Sequence, residues 1–362
     1  MVEWKKLGEV ANLVRGKVIS KDFIRDNAGI YPVYSSQTAN DGVLGYIDSY
    51  MFDGDFLTWT TDGAYAGTIF RRKGRFNITN VCGLMDITDQ RLLQDYLYYW
   101  LSLIAKSYVQ EGMGNPKLMS NVASTILIPI PSLSEQQRIV SILDTFTSSI
   151  SNLKQQIEER RKQYEYERDL LLDLEGKEGV ERIPLKEVCD VINGRAYSQP
   201  ELLDKGKYRV LRVGNFFSND NWYYSDLELE DKYYCKNGDL LYAWSASFGP
   251  HIWKEERVIY HYHIWKMECK DRLHIKYMYY WLQSKDMYKQ AFSNLHGATM
   301  AHLTKALMES LKVSLPPLST QYRIVSILDT FEQSIANLEE QLSMREKQYE
   351  YYREKLLRFE EA

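Results

Sequence analysis

The stretch LSEQQRIVSILDTFTSSISNL at residues 133–153 returns as LSTQYRIVSILDTFEQSIANL at residues 318–338, an offset of 185 residues. The match continues without a gap as far as KQYEYER at 162–168 and KQYEYYR at 347–353. Agreement of this length in a constant register indicates an internal duplication. The sequence therefore predicts a tandem repeat, of which these stretches are the best-preserved part.

Apolar side chains recur in both stretches in alternating steps of four and three residues, which is the spacing of a coiled-coil seam. The predicted seam consists of Ile139, Leu143, Phe146, Ile150, Leu153, Ile157, Tyr164 and Leu171 in the first copy and Ile324, Leu328, Phe331, Ile335, Leu338, Leu342, Tyr349 and Leu356 in the second. Ser134 and Ser319 suit helix N-caps.

At a rise of about 1.5 Å per residue, each seam is about 50 Å long, more than one small domain can cover. The two copies are therefore expected to bury their seams against each other as an antiparallel coiled coil. The alternative is that each helix packs only on its own domain.

The regions before the helices correspond more loosely. Gly16 matches Gly194, and YLYYWL at 96–101 matches YMYYWL at 277–282, while the offset drifts from 178 to 185 residues. The aromatic segments favour buried helices, whereas VLGYI, FLTWT and TIFRR favour strands, with turns at DGD, TDGAYAG and RRKGR. Loops of different length between two copies of one fold explain the drift.

The predicted fold class is mixed α+β, with two α/β domains separated by two long helices in a pseudo-two-fold tandem repeat. The boundaries are 1–133 for the first domain, 134–181 for the first helix and its linker, 182–318 for the second domain and 319–362 for the second helix.

Composition indicates a soluble cytoplasmic protein. Hydrophobic residues make up 44% and charged residues 26% of the 362 residues, and no stretch approaches the roughly 20 apolar residues of a membrane span. The polar start of the chain is unlike a signal peptide. The four cysteines are scattered without a CxxC pair, so we expect reduced thiols and neither a disulfide framework nor a zinc site.

The net charge of −4 is unevenly distributed. Basic and acidic residues number 13 and 13 in residues 1–131 and 19 and 16 in residues 182–318, but 7 and 11 in 132–181 and 6 and 9 in 319–362. The globular regions thus carry +3 and the helical regions −7. Because phosphate contacts need Lys and Arg, this distribution leaves DNA binding by the globular regions open.

No motif in the sequence indicates catalysis. There is no phosphate-binding GxxxxGK[ST] loop and no HExxH, and Asn115-Pro116 continues into Lys117, unlike the Asn-Pro-Pro-aromatic motif of adenine methyltransferases. His261 and His263 in YHYHIW could suggest a metal pair, but no third ligand stands nearby, and a strand histidine pair without metal is the simpler interpretation. We expect no metal and no cofactor in this chain.

The order domain, helix, domain, helix resembles the specificity subunits of type I restriction-modification systems. PIPSLSEQQRIVSILD at 129–144 and LPPLSTQYRIVSILD at 315–329 carry the resemblance, with the openings WKKLGEVANLVRG and IPLKEVCDVINGR.

The resemblance implies that each globular copy is a target recognition domain reading one half of a bipartite, asymmetric site in double-stranded DNA. It also implies that the coil sets the gap and docks two modification (methyltransferase) subunits, which restriction (translocase and endonuclease) subunits join. AdoMet, ATP and Mg would then be bound by those partners.

Base edges are read by Arg, Lys, Asn and Gln, with Ser and Thr more tolerant, so polar loops supply the candidates in the first domain. These are Ser35, Ser36, Gln37, Thr38 and Asn40, then Thr60, Thr61, Asp62 and Tyr65, and Asn115, Lys117 and Ser120 in the glycine-containing loop GMGNPKLMS. The basic turn Arg71, Arg72, Lys73 and Arg75 could hold phosphates, or be a solvated hairpin tip.

In the second domain, the segment HGATMAHLT corresponds to that glycine-containing loop. The candidates are His296, Thr299, His302 and Lys305 there, with Arg195, Tyr197, Arg212, Asn215, Trp244, Ser245 and Ser247 as weaker ones.

Two other functions fit parts of the sequence. One is a non-enzymatic protein-protein adaptor, with two peptide-binding domains on a coiled-coil spacer. The other is a nuclease with a dispersed active site. A steep loss of affinity with salt would favour DNA over peptide, and divalent-dependent nicking by the purified chain would favour the nuclease.

Overall fold

The computed structural model describes residues 2–112, 114–217, 219–245, 247–292 and 303–359. It divides into two compact units, one formed by Met1–Lys154 with Glu340–Ala362 and the other by Gln155–Glu339. These units differ from the four consecutive segments expected from the sequence, because each long helix contributes to both units.

Unit 1 contains a six-stranded sheet in the order β2-β7-β5-β6-β3-β4 and a two-stranded ribbon of β1 with β8. The strands are β1 (Glu3–Lys6), β2 (Ala11–Arg15), β3 (Ala28–Tyr34), β4 (Val43–Ile47), β5 (Phe52–Thr60), β6 (Ile69–Ile78), β7 (Cys82–Ile87) and β8 (Leu127–Ile130). The helices are α1 (Leu7–Val10), α2 (Lys21–Asp26), α3 (Gln94–Ile104) and α4 (Ser120–Ala123).

The central hairpin of unit 1 corrects the predicted turns at DGD and RRKGR, because both segments lie inside strands. β5 and β6 pair from Phe52 opposite Phe76 to Trp59 opposite Ile69. Gly54 and Gly74 face each other across this ladder, both with positive φ, at 146° and 79°. A backbone that only glycine adopts readily lets the hairpin bend while its hydrogen bonding continues.

Helix α3 packs against this sheet, as expected for a buried aromatic helix. Tyr96, Leu97, Tyr99 and Leu101 are fully buried. The Tyr96 hydroxyl donates to the Pro129 carbonyl, so the core helix is joined to the ribbon strand that precedes the first long helix.

Unit 2 repeats this plan with shorter strands, in sheets ordered β10-β17-β14-β15 and β12-β11-β16-β13 and a ribbon of β9 with β18. The strands are β9 (Glu181–Pro184), β10 (Cys189–Asn193), β11 (Tyr208–Leu211), β12 (Tyr223–Ser225), β13 (Tyr234–Cys235), β14 (Leu240–Ser245), β15 (Ser247–Ile252), β16 (Val258–Tyr260), β17 (Ile264–Cys269) and β18 (Lys312–Leu315). The shorter helices are α6 (Ile275–Trp281), α7 (Lys285–Phe292) and α8 (Lys305–Ser310).

Two helices are much longer than the others. α5 (Leu133–Leu172) and α9 (Leu318–Leu356) contain 40 and 39 residues, about 60 Å each. α5 begins one residue before the expected cap Ser134, and Ser132 Oγ accepts from the Glu135 amide instead. Among the described residues, none of the helices has the length and apolar character needed to cross a membrane.

Within each unit the two long helices run antiparallel. In unit 1 the Phe146 and Tyr352 rings stack at 5.3 Å, and Lys154 lies 2.9 Å from Glu346. In unit 2 Arg161 pairs with Glu339, and the Tyr164 ring contacts the Phe331 ring. Partner numbers on α9 fall as those on α5 rise, so the helices form the predicted antiparallel coiled coil.

The seam is also the place where helices and domains meet. The predicted seam residues are buried or half-buried throughout: Ile139, Leu143, Phe146, Ile150, Leu153, Ile157, Tyr164, Leu171, Ile324, Leu328, Phe331, Ile335, Leu338, Leu342, Tyr349 and Leu356. In unit 1, the start of α5 shares the domain core with the end of α9. Unit 2 joins the start of α9 and the end of α5 in the same way. Packing on a domain therefore accompanies the coiled coil and does not replace it.

Candidate nucleic-acid interface

A glycine junction marks the same place in both globular domains. A Cβ on Gly16 would lie 2.1 Å from the Ile78 carbonyl oxygen, and one on Gly194 would lie 2.3 Å from that of His261. The Gly16 amide donates to Cys82, and the Gly194 amide donates to Ile264. Only glycine permits this backbone approach, so the junction identifies equivalent strand ends in the two copies.

Near the junction of the first domain, three segments converge on Asp62. Arg15 at the end of β2 lies 3.6 Å from the Asp62 carboxylate, and Lys117 lies 3.9 Å from its other oxygen. Arg15 also donates to Thr61 Oγ1 at 3.4 Å and to the Asn80 carbonyl. Two cations share one carboxylate, so this cluster, Arg15, Thr61, Asp62, Asn80 and Lys117, carries a net positive charge.

The structure thus brings two predicted loops of the first domain together. The Leu118 amide donates to the Thr61 carbonyl, and the Gly63 amide donates to that of Pro116. Thr60 and Thr61 are buried, so their hydroxyls hold the loop, while Tyr65 is 55% exposed. Asn115 and Lys117 are exposed, and Ser120 is half-buried at the start of α4.

The loop at 35–42 lies beyond β3. Ser35, Ser36, Gln37 and Thr38 are half-buried, and the next residue but one, Asn40, is exposed. Asn40 and Asp41 have φ of 50° and 51°, and Gly42 follows at 78°. Glycine adopts this conformation freely, but two consecutive non-glycine residues in it are a strained arrangement that surrounding contacts must hold.

Arg72 supplies those contacts, and it is not an exposed phosphate ligand. Its side chain is buried on β6, with Nη1 2.7 Å from Asp41 Oδ2 and Nε donating to Thr58 Oγ1 at 3.2 Å. The guanidinium lies 3.6 Å from the centroid of the Tyr34 ring. A cation so enclosed has no route to a phosphate, which removes Arg72 from the candidates.

The other cations of the RRKGR segment point outward but already have acidic partners. Arg71 pairs with Asp95 at 2.7 Å and Asp144 at 3.2 Å. Arg75 pairs with Asp53, and Lys73, whose side chain is 87% exposed, lies 3.9 Å from Asp55. Of Arg71, Lys73 and Arg75, Lys73 therefore has the weakest intramolecular ion pair.

In the second domain an aromatic cluster lies at the matching strand ends, and its Arg195 is paired with Glu201 at 2.6 Å. The Tyr197 ring stacks on His261 at 6.4 Å, and the Arg195 guanidinium lies 5.0 Å from the Tyr197 centroid. Trp244 Nε1 donates to the Tyr262 carbonyl at 2.9 Å. Trp244 occupies the position that Thr61 has in the first domain. The Trp244 backbone amide donates to the His263 carbonyl, just as the Thr61 backbone amide donates to the Val81 carbonyl.

Burial, His263 and Arg212 lower the pKa of His261 to about 4. Its imidazole is therefore neutral at physiological pH and can both donate and accept a hydrogen bond. His261 and His263 flank a turn between β16 and β17 and do not lie on one strand. Among the described residues there is no group of three or more His, Cys, Asp or Glu side chains that could hold a metal.

The remaining candidates of the second domain differ in the intramolecular contacts that their side chains make. Arg212 lies over the Tyr223 ring at 4.2 Å, and the Asn215 amide group is used by its own turn, accepting from Arg212 and donating to Asn219. Ser245 and Ser247 face each other at the tip of the β14–β15 hairpin. Lys305 pairs with Glu309 at 3.5 Å. His296, Thr299 and His302 lie outside the described residues.

Sequence reasoning missed Arg15, Asn80 and Tyr262, which complete the two clusters. A usable signal was present for the first, since a cation adjoins each junction glycine, as Arg15-Gly16 and Gly194-Arg195. Asn80 and Tyr262 stand in turns that only the fold brings to these positions.

Comparison with known proteins matches this two-copy arrangement. The family described as type I restriction modification DNA specificity domain matches residues 1–160 and 177–344. A Haemophilus influenzae protein named as a type I restriction enzyme specificity subunit is 30% identical over 382 residues, covering 99% of this chain and 96% of the relative. A Mycoplasma pneumoniae protein named as a type I specificity subunit is 28% identical over 364 residues, covering 98% and 97%.

A solved structure shares the fold. The type I restriction-modification S subunit from M. genitalium superposes with a TM-score of 0.64 at 16% identity, over 100% of this chain and 97% of that one. Both matched regions of the family contain one globular copy and most of the long helix that follows it. The chain belongs to the family of DNA specificity subunits of type I restriction-modification systems, the non-catalytic components that recognise the DNA sequence.

Proposed function

We propose that the two globular domains read the two halves of a bipartite, asymmetric DNA target. One observation carries this proposal: the same glycine junction presents different side chains in the two copies. The first presents Arg15, Asp62 and Lys117, and the second presents Arg195, Tyr197 and Trp244 around His261. Equivalent positions that carry different side chains in the two domains are suited to two different half-sites.

Within this proposal the exposed polar groups contact base edges and the cations contact phosphates. Asn115 is suited to bind adenine, and Arg15 and Arg195 are suited to bind guanine or phosphate. Tyr65 at the tip of its loop and Tyr262 offer apolar contact with a thymine methyl group. The buried Thr60, Thr61 and Arg72 shape the loops from behind.

The coiled coil serves in the same proposal as a ruler between the half-sites and as the platform for two modification subunits. α5 and α9 are nearly equal in length and repeat the same motif, which supports two equivalent docking positions. AdoMet, ATP and Mg are bound by the modification and restriction subunits. The complex works in the cytoplasm, where its DNA is.

Exchange of one domain tests the proposal. Residues 1–131 are replaced by the corresponding region of a relative, and the methylated sequence is determined by methylome sequencing of cells that carry the chimera and its modification subunit. We expect one half-site to change while the other half-site and the gap persist. A change in both halves would contradict independent reading. The reciprocal exchange of residues 182–318 is the matched control.

A further inference from the structure

A buried glutamine stands at the foot of the first long helix. Gln136 on α5 is fully buried, and its amide group makes three hydrogen bonds to backbone groups. Its Oε1 accepts from the Leu93 amide at 2.8 Å, and its Nε2 donates to the carbonyls of Arg91 at 2.7 Å and Pro131 at 2.9 Å. The side chain thus ties the helix to the turn before α3 and to the linker after β8.

The second copy repeats this arrangement bond for bond. Gln321 on α9 is fully buried. Its Oε1 accepts from the His274 amide at 2.8 Å, and its Nε2 donates to the carbonyls of Arg272 and Pro316, each at 2.9 Å. The two domains differ in their loops, so the retention of all three bonds indicates a requirement common to both junctions.

A second contact fixes each helix two turns further on. The Tyr99 hydroxyl of α3 donates to Asp144 of α5 at 2.6 Å, and the Tyr280 hydroxyl of α6 donates to Asp329 of α9 at 2.6 Å. Eight residues, about 12 Å of helix, separate the glutamine from the aspartate. Two points of attachment this far apart restrain the tilt of a helix as well as its position.

We propose that Gln136 and Gln321 are positioning residues that hold each reading domain at a set angle to the helix that follows it. This inference rests on the proposed function, because the angle matters only if the coil spaces two reading domains. A tilt of about 10° over about 20 Å, the scale of one domain, displaces the reading face by about 3.5 Å, which is close to one base-pair step. Control of the gap to one base pair therefore requires a junction about this rigid.

The glutamine suits the task better than an apolar side chain would. Hydrogen bonds are directional, weakening steeply when bent, whereas burial of apolar surface constrains orientation little. Removal of the amide also leaves the Leu93 amide and two carbonyls without their buried partner. The junction should then loosen locally while the core around it persists.

Gln136→Leu tests the inference in the full chain, assembled with its modification subunit. Methyl transfer is measured on synthetic duplexes that carry the target with its natural gap or with a gap one base pair longer or shorter. We expect the ratio of natural-gap to altered-gap rates to fall about tenfold, equivalent to about 1.4 kcal/mol of lost discrimination. Discrimination against base changes within each half-site should persist. Gln321→Leu should act alike.

Gln137→Leu is the matched control, since the neighbouring glutamine is exposed on the same helical turn. If Gln136→Leu prevents assembly, Tyr99→Phe decides, because it removes one hydrogen bond of the second contact with little change in volume. An unchanged gap preference in the variants that assemble would overturn the inference. A wild-type complex indifferent to the gap would instead refute the ruler itself, so the two failures are distinguishable.

Discussion

Replacement of Arg72 by methionine should separate the stability of the first domain from its ability to read DNA. Methionine keeps most of the apolar contact of the side chain but removes the guanidinium that holds Asp41 and Thr58. The loop at 35–42 would then keep its sequence but lose the ion pair between Arg72 and Asp41. Because Arg72 is buried, its replacement can affect DNA binding only through the residues it holds, which are Asp41 in that loop and Thr58 on β5.

The contacts set the size of the effect. The Asp41 side chain is 70% exposed, so its ion pair contributes only about 0.5–1 kcal/mol. The hydrogen bond from a charged donor to the buried Thr58 contributes about 1.5–3 kcal/mol. Methionine avoids the desolvation of a buried charge, which offsets part of the loss. We expect the free energy of unfolding to fall by about 2 kcal/mol.

The conformation of the loop at 35–42 should be affected more than the stability of the whole first domain. The left-handed conformations of Asn40 and Asp41 cost each residue less than the roughly 1–2 kcal/mol that other non-glycine residues lose, so the contacts of Arg72 are enough to hold them. Without Arg72 the loop should relax, and base changes in the first half-site, which ordinarily cost about 1–3 kcal/mol each, should be tolerated.

Two measurements on the complex check this. Urea unfolding gives the stability, and affinities for duplexes with single changes in either half-site give the discrimination. Lys73→Met, at an exposed neighbouring position, removes a phosphate candidate and should lower the affinity for all duplexes alike, while the stability and the discrimination stay unchanged. Equal loss of discrimination in both halves, or full retention in the first, would refute the reasoning.

The coiled coil was predictable because its signal is local. Heptad spacing over about ten turns determines a seam wherever the helix packs, and the positions from Ile139 to Leu171 are covered as expected. The division of each helix between two units was not predictable. It depends on which domain meets the far end of each helix, and no local pattern encodes that.

The reading surface was predicted less well, since burial and pairing over long separations decide it. In RRKGR, four cations in five residues resembled an exposed turn, yet Arg72 turns inward to an aspartate 31 residues earlier in the chain. The strand continues through this segment, with Gly74 paired opposite Gly54 on β5. Arg15 joins Asp62 and Lys117 only when three distant segments meet.

Three further predictions address the junction, the phosphate contacts and a half-buried carboxyl. Gly194→Ala should lower the free energy of unfolding by about 2–3 kcal/mol in urea titrations, because its Cβ would lie 2.3 Å from the His261 carbonyl oxygen; Gly112→Ala, with nothing within 4 Å, should have little effect. Lys117→Ala should reduce the slope of log affinity against log salt by about 0.9, the value for one phosphate, while Lys162→Ala on the coil should leave it unchanged. Finally, burial against α6 raises the pKa of Glu332 above its ordinary value, opposed by the hydroxyls of Tyr280 and Tyr279. A carboxyl whose folded pKa is raised favours folding when protonated, and this contribution is lost as the pH rises through the folded pKa. Glu332→Gln, which mimics the protonated form, should therefore raise the melting temperature at pH 7, and the gain should vanish near pH 4; a gain of equal size at both pH values would show that the carboxyl is not destabilised by burial.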